Sequence, residues 1–79
     1  MKIHVAGPGC IRCDETYKNV INACAELNIS ADIDHIHDVK EYSKLGVRIT
    51  PAVIIDGKVV KSGTVPTITD MKTIIMDSL

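Results

Sequence analysis

The segment Gly7-Pro8-Gly9-Cys10-Ile11-Arg12-Cys13 constrains this chain more than any other. It sets two thiols three positions apart, between a short apolar run at Ile3 to Ala6 and a long stretch with helical periodicity. A run that short suits a strand and the stretch after it suits a helix, so both cysteines fall where a strand turns into a helix. Gly7 and Gly9 permit tight or left-handed backbone at that turn. Pro8 fixes its own φ and removes a donor. Cys10 is therefore expected at or just before a helix N-terminus, where unpaired N–H groups and the positive end of the dipole favour a thiolate. Cys13 comes about one turn later, from where its sulfur can reach back to Cys10 and close a disulfide.

The rest of the chain alternates strand and helix signals. Residues 2–6 read as the first strand, and Tyr17, Val20, Ile21, Cys24 and Leu27 recur three and four apart as the inner face of a helix from Ile11 to about Leu27. Asp14 and Glu15 suit its first turn, and Asn28 suits its end. Ile29 to Ile36 reads as a second strand whose Asp32, Asp34 and His35 make one side wet, as on a sheet edge. Asp38 and Glu41 have capping-box spacing for a short helix, with Tyr42 and Leu45 inward and Gly46 as its stop. Pro51 to Ile55 is the most apolar run and reads as a central strand. Asp56-Gly57 is a hairpin turn signal, and Lys58 to Lys61 returns as its partner up to Gly63. Thr67 and Asp70 open a last helix whose inner face is Ile68, Met71, Ile74 or Ile75, and Leu79. The expected fold is α/β, in the order β-α-β-α-β-β-α. Its four-stranded mixed sheet has a parallel first pair joined by a right-handed crossover and helices on both faces.

With 79 residues the chain is expected to form one domain, residues 1–79, with a small core. It has no Phe and no Trp, so Ile, Val, Leu and Ala must fill that core. A net charge of −1 with no basic cluster argues against nucleic acid as a partner. No apolar run reaches membrane-spanning length, and Met1 to Ala6 reads as a strand rather than a signal-peptide core. Three cysteines, an odd number, argue against a secreted disulfide framework and for a reducing cytoplasm, where a disulfide is transient and catalytic.

The remaining chemical side chains have plain readings and sharper ones. Cys24 lies on the inner helix face and reads as core. His35 and His37 alternate on one strand face, a spacing that suits two metal ligands, but solvated edge positions are favoured. His4 lies near the thiols in sequence and has the chemistry of a proton acceptor for Cys13, but a hydrogen-bonded strand histidine is favoured. Arg12 either lowers the Cys10 pKa by its charge or points to water. Tyr42 reads as core.

A C-x-x-C beside a βαβ pattern reads as a redox motif, and the chain resembles the small thioredoxin-like and glutaredoxin-like redox-active disulfide proteins of archaea and bacteria. The residues that carry the resemblance are Gly-Pro-Gly-Cys10-Ile11-Arg12-Cys13, Thr50-Pro51 at the start of the third strand, Asp56-Gly57 in the hairpin, and Gly63-Thr64-Val65-Pro66 before the last helix. It extends over essentially the whole chain. It implies that Cys10 is the attacking thiol, Cys13 the resolving thiol, and Thr50–Pro51 a cis peptide facing the disulfide, where Thr50 backbone pairs with an incoming extended segment. Ile11, Arg12, Thr50 and Pro51 are the expected substrate-binding residues. The implied activity is protein disulfide oxidoreduction, as a monomer with no cofactor beyond the Cys10–Cys13 disulfide. Its partners would be disulfide-containing proteins and an upstream reductase or thiol donor, with no membrane or nucleic acid involved.

The sequence departs from the family in three places. Ile-Arg stands between the cysteines, no Trp precedes Cys10, and Lys61-Ser62-Gly63-Thr64 does not match a glutathione-site pattern. The alternative is a soft-metal-binding C-x-x-C module of the metallochaperone kind, whose βαββαβ order ends in a strand and has no use for a proline at position 51. A redox-regulated adaptor that docks partners without turnover is a third reading.

Overall fold

The computed structural model describes residues 1–9 and 11–79. Its elements are β1 (Lys2–Ala6), α1 (Ile11–Glu26), β2 (Asp32–Ile36), α2 (Val39–Leu45), β3 (Ala52–Ile55), β4 (Lys58–Ser62) and α3 (Ile68–Asp77). The sheet runs β2-β1-β3-β4, with β1 parallel to β2 and antiparallel to β3, and β3 antiparallel to β4. Strand β2 is an edge, as its polar residues imply. It begins later than Ile29, because Asn28 turns the chain at φ 55° and the main chain reaches Asp32 before pairing starts.

Alternation along the strands divides the core into two layers. Ile3, Val5, Val53 and Ile55 project to one face, where they pack with Val20, Ala23 and Cys24 of α1 and Met71 and Ile75 of α3. Ala6, Ala52 and Ile54 project to the other face, where Val47, Tyr42, Leu45 and Val59 cover them. The helices therefore lie on both faces, α1 and α3 on one and α2 on the other.

Local chemistry accounts for several element ends. Thr67 and Asp70 form a complete capping box for α3, with the Thr67 hydroxyl accepting from the Asp70 N–H and the Asp70 carboxylate accepting from the Thr67 N–H. At α2 only half of the expected box forms. Asp38 accepts from the Lys40 N–H, and the Glu41 N–H donates to the Asp38 carbonyl rather than to a side chain. Gly46 closes α2 in the left-handed region at φ 80°. Asp56 and Gly57, at φ 49° and 86°, make the β3–β4 turn of the kind their residue types favour.

Two helix faces differ from the periodicity reading. The buried stripe of α1 is Cys13, Thr16, Val20, Ala23 and Cys24, and Ile21 is exposed. Thr16 enters the core because its hydroxyl donates to the Arg12 carbonyl at 2.8 Å, which satisfies its polar atom locally. In α3 the buried pair is Met71 and Ile75. Leu79 lies past the helix end and is 77 % exposed. Among the described residues no helix is long and apolar enough to cross a membrane.

Candidate functional site

The sheet register gathers distant segments at one end. Ala6, the last residue of β1, pairs with Ile36 at the end of β2 and with Ala52 at the start of β3, and Ala52 pairs with Ser62 at the end of β4. Four connections therefore meet there: Gly7–Gly9, which leads to the first thiol; His37–Asp38; Thr50–Pro51; and Gly63–Pro66. The Thr50–Pro51 peptide bond is cis, and Pro51 is fully buried. Cys10 lies outside the described residues, so its expected exposure and helix-terminal placement are not addressed by the structure.

Cys13 is the third residue of α1 and has no solvent exposure. Directly above it is Gly7, itself buried. A Cβ added to Gly7 would collide with Cys13 Sγ and lie 2.7 Å from its Cβ. Gly7 is thus needed for space, and its N–H is held by the Ile36 carbonyl at 3.0 Å. Gly9, by contrast, sits at φ 89°, where a side chain is strained.

Arg12 is exposed, yet it is not left to water. Its Nη2 donates to the Gly63 carbonyl at 3.0 Å, and the Gly63 N–H donates to the Pro51 carbonyl at 3.0 Å. One relay of hydrogen bonds thereby ties the C-x-x-C segment to the proline turn through the β4–α3 connection. Asn19 adds a second tie, its Nδ2 donating to the Pro66 carbonyl at 2.8 Å. Ile11 and Ile49 leave this region 84 % and 61 % exposed, and Ile49 packs beside Gly63. Among the predicted binding residues the structure connects Arg12 and Pro51, places Thr50 at the same sheet end, and leaves Ile11 open to solvent.

The histidines depart most from expectation. His35 is half-buried, and its ring stacks on Tyr17 of α1 at 5.3 Å and on His37 at 4.0 Å. Burial pushes the His35 pKa down, and the neighbouring His37 adds to this. Asp14 and the Gly7 backbone pull it the other way. His4 projects to the face opposite α1, where its Nδ1 lies 3.8 Å from Asp34 and has no hydrogen-bond partner among the described residues. The structure therefore directs His4 away from α1 and the Cys13 side of the sheet. Asp34 is held below the usual carboxyl range by its hydrogen bond with Lys2, against a smaller opposing effect of burial. Among the described residues no three His, Cys, Asp or Glu side chains gather as metal ligands.

Cys24 packs in the core with 4 % exposure, and burial pushes its thiol pKa up. A raised thiol pKa and a closed environment both suppress reaction. Cys24 is expected to stay unmodified when the native, reduced protein is treated with iodoacetamide at neutral pH, and to react once the protein is unfolded in urea. Peptide mass mapping of the two samples checks this.

The β2-β1-β3-β4 order, with two helices on one face and one on the other and a proline turn at the C-terminal end of β1, is the thioredoxin-like arrangement. A family model described as a thioredoxin domain matches residues 1–76, and the chain belongs to that family. It is 39 % identical over 70 residues to a thioredoxin of Methanocaldococcus jannaschii, covering 89 % of this chain and 80 % of that protein. It is 31 % identical over 75 residues to a thioredoxin of Methanothermobacter thermautotrophicus, covering 95 % of this chain and 97 % of that one. Its function is accordingly of the thiol–disulfide oxidoreductase type.

Proposed function

We propose that this protein reduces or exchanges disulfides of partner proteins through the Cys10–Cys13 dithiol, with Cys10 attacking and Cys13 resolving. The observation that carries this reading is the seat of Cys13. It is wholly buried in the first turn of α1 beneath Gly7, as suits a thiol reached only by its neighbour three residues away. The Cys10 thiolate attacks one sulfur of a target disulfide, and the other target sulfur leaves as a thiolate and takes a proton. Cys13 then gives up its proton and attacks the Cys10 sulfur, and the second target sulfur leaves. The target gains two electrons and the protein ends as the Cys10–Cys13 disulfide. A dithiol donor or an upstream reductase resets it.

Ile11, Arg12, Thr50 and Pro51 form the substrate-binding surface in this reading. Thr50 offers main-chain hydrogen bonds to an extended segment of the target. Exposed Ile11 offers apolar contact. Arg12 keeps the Gly63 connection in register with Pro51. The chemistry needs no cofactor beyond the dithiol, and it suits a monomer in a reducing cytoplasm that meets protein disulfides rather than membrane or nucleic acid.

The soft-metal reading is separated from this one by experiment. With dithiothreitol as donor, the protein is expected to accelerate the reduction of insulin disulfides, and the reduced protein is expected to retain no stoichiometric zinc or copper after gel filtration. Tightly held metal with no acceleration would favour the metal-binding alternative.

A further inference from the structure

Two exposed side chains of unlike character meet at Gly63. Its carbonyl accepts from Arg12 Nη2 at 3.0 Å, and its N–H donates to the Pro51 carbonyl. Ile49 stands against it as well, since a Cβ added to Gly63 would lie 3.2 Å from Ile49 Cγ2. With φ at 79° and that contact, position 63 has no place for a side chain. Ile49 is 61 % exposed and comes just before Thr50 and Pro51. The Arg12 guanidinium is exposed too. It carries five N–H donors, and the bond to Gly63 aims it without neutralising it. Among the described residues no Asp or Glu pairs with it, the ion pairs there being made by Lys2, His4, Lys44 and Lys72. The flanking segments 47–51 and 61–66 contain Arg48 and Lys61 and no acidic residue. The acid in the first turn of α1, Asp14, acts instead on His35 of β2. The β4 side of this sheet end therefore presents a cation without a counter-charge and an apolar side chain on one glycine.

We propose that Arg12 and Ile49 are specificity-determining residues: together they favour extended target segments in which an acidic and an apolar side chain flank the disulfide cysteine. The two residues are continuous, through Gly63 and Pro51, with the Thr50 main chain that offers pairing to such a segment. A guanidinium already aimed by one bond has less freedom to lose when it takes up a carboxylate, and its planar fork suits both carboxylate oxygens. Ile49 gives up exposed apolar surface when the neighbouring side chain covers it. Charge complementarity thus selects acidic segments and disfavours basic ones. The inference rests on the reading of the dithiol as the group that attacks target disulfides, and it adds the class of target.

The test uses disulfide-linked peptides that differ only beside the cysteine: Leu and Glu as neighbours, Leu and Gln, or Ser and Glu, each made in both orders. Each is mixed with the pre-reduced protein in the absence of other reductant, and the release of peptide thiol gives a second-order rate constant. The Glu-to-Gln rate ratio is expected to be roughly threefold higher for wild type than for Arg12→Gln at low salt. Comparing ratios between proteins cancels the reactivity of each peptide and any change in the attacking thiol. Arg12→Lys, which keeps the charge, should keep most of the preference, and high salt should erase it. Ile49→Ser should lower the Leu-to-Ser ratio and leave the Glu-to-Gln ratio as in wild type. Equal Glu-to-Gln ratios in wild type and folded Arg12→Gln overturn the acidic preference, and an unchanged Leu-to-Ser ratio in Ile49→Ser overturns the apolar one. Either result, with the peptides still reduced, leaves the oxidoreductase reading standing. Reduction of no peptide by the wild-type protein overturns that reading and the proposal with it.

Discussion

Cys13→Ser is expected to convert the protein from one that releases its targets into one that keeps them. With Cys10 intact, attack on a target disulfide still forms the mixed disulfide. With no thiol at position 13, nothing displaces the target from Cys10 except external reductant. Covalent adducts should therefore accumulate on non-reducing gels and dissolve on addition of dithiothreitol, and mass mapping should place every adduct at Cys10. Cys10→Ser should form no adducts and reduce no insulin, because Cys13 lies wholly buried under Gly7 and cannot present its sulfur to a protein disulfide. Insulin reduction should be lost in Cys10→Ser and limited in Cys13→Ser to the rate at which the donor dithiothreitol releases the mixed disulfide. Normal turnover by Cys13→Ser, or adducts at Cys13 in Cys10→Ser, would reverse the roles assigned to the two thiols.

The second large effect belongs to Gly7. Alanine there adds one methyl group where Cys13 Sγ already sits. The site has little room to yield, because Gly7 is buried and its N–H is fixed to the Ile36 carbonyl of β2. Overpacking a tight interior costs about 1–3 kcal/mol. In Gly7→Ala that cost should appear as lower stability to urea, and Cys13 should become more reactive to iodoacetamide as it is displaced. Gly57→Ala is the control. At φ 86°, with nothing within 4 Å of an added Cβ, it meets backbone strain and no neighbour. Its expected cost is roughly 1 kcal/mol, with the thiol chemistry unchanged. A Gly7→Ala protein with wild-type stability and thiol reactivity would show that Cys13 does not depend on this glycine.

What could be read from the chain alone was set by local signals. The Asp56-Gly57 turn, the Gly46 stop and the apolar run at 51–55 each prescribe backbone within a few residues, and together they imply the element order and the mixed sheet. Periodicity was weaker at choosing faces. It treats Ile21 and Leu79 as inward because they are apolar, and it passes over Thr16, which is buried only because the Arg12 carbonyl satisfies its hydroxyl. The relay from Arg12 through Gly63 to Pro51 spans 51 residues at its first step and depends on where β4 ends against β3. No local pattern contains that register. The same holds for His35 and His37. Solvated edge residues are the usual reading of such a pair, and the ring stack exists because β2 runs parallel to β1 and ends beside the Gly7–Gly9 loop with Tyr17 above it.

The central claim is that Cys10 and Cys13 form one reversible dithiol–disulfide couple. Its most direct test is equilibration of the purified protein across a series of reduced-to-oxidised dithiothreitol ratios. Each sample is acid-quenched, alkylated and mapped by mass spectrometry. The account predicts a single two-electron transition in which Cys10 and Cys13 become unavailable together, at a ratio independent of protein concentration, while Cys24 keeps its thiol throughout. A transition that pairs Cys24 with either residue, one that shifts with protein concentration as an intermolecular bridge would, or no Cys10–Cys13 disulfide at any ratio would contradict it.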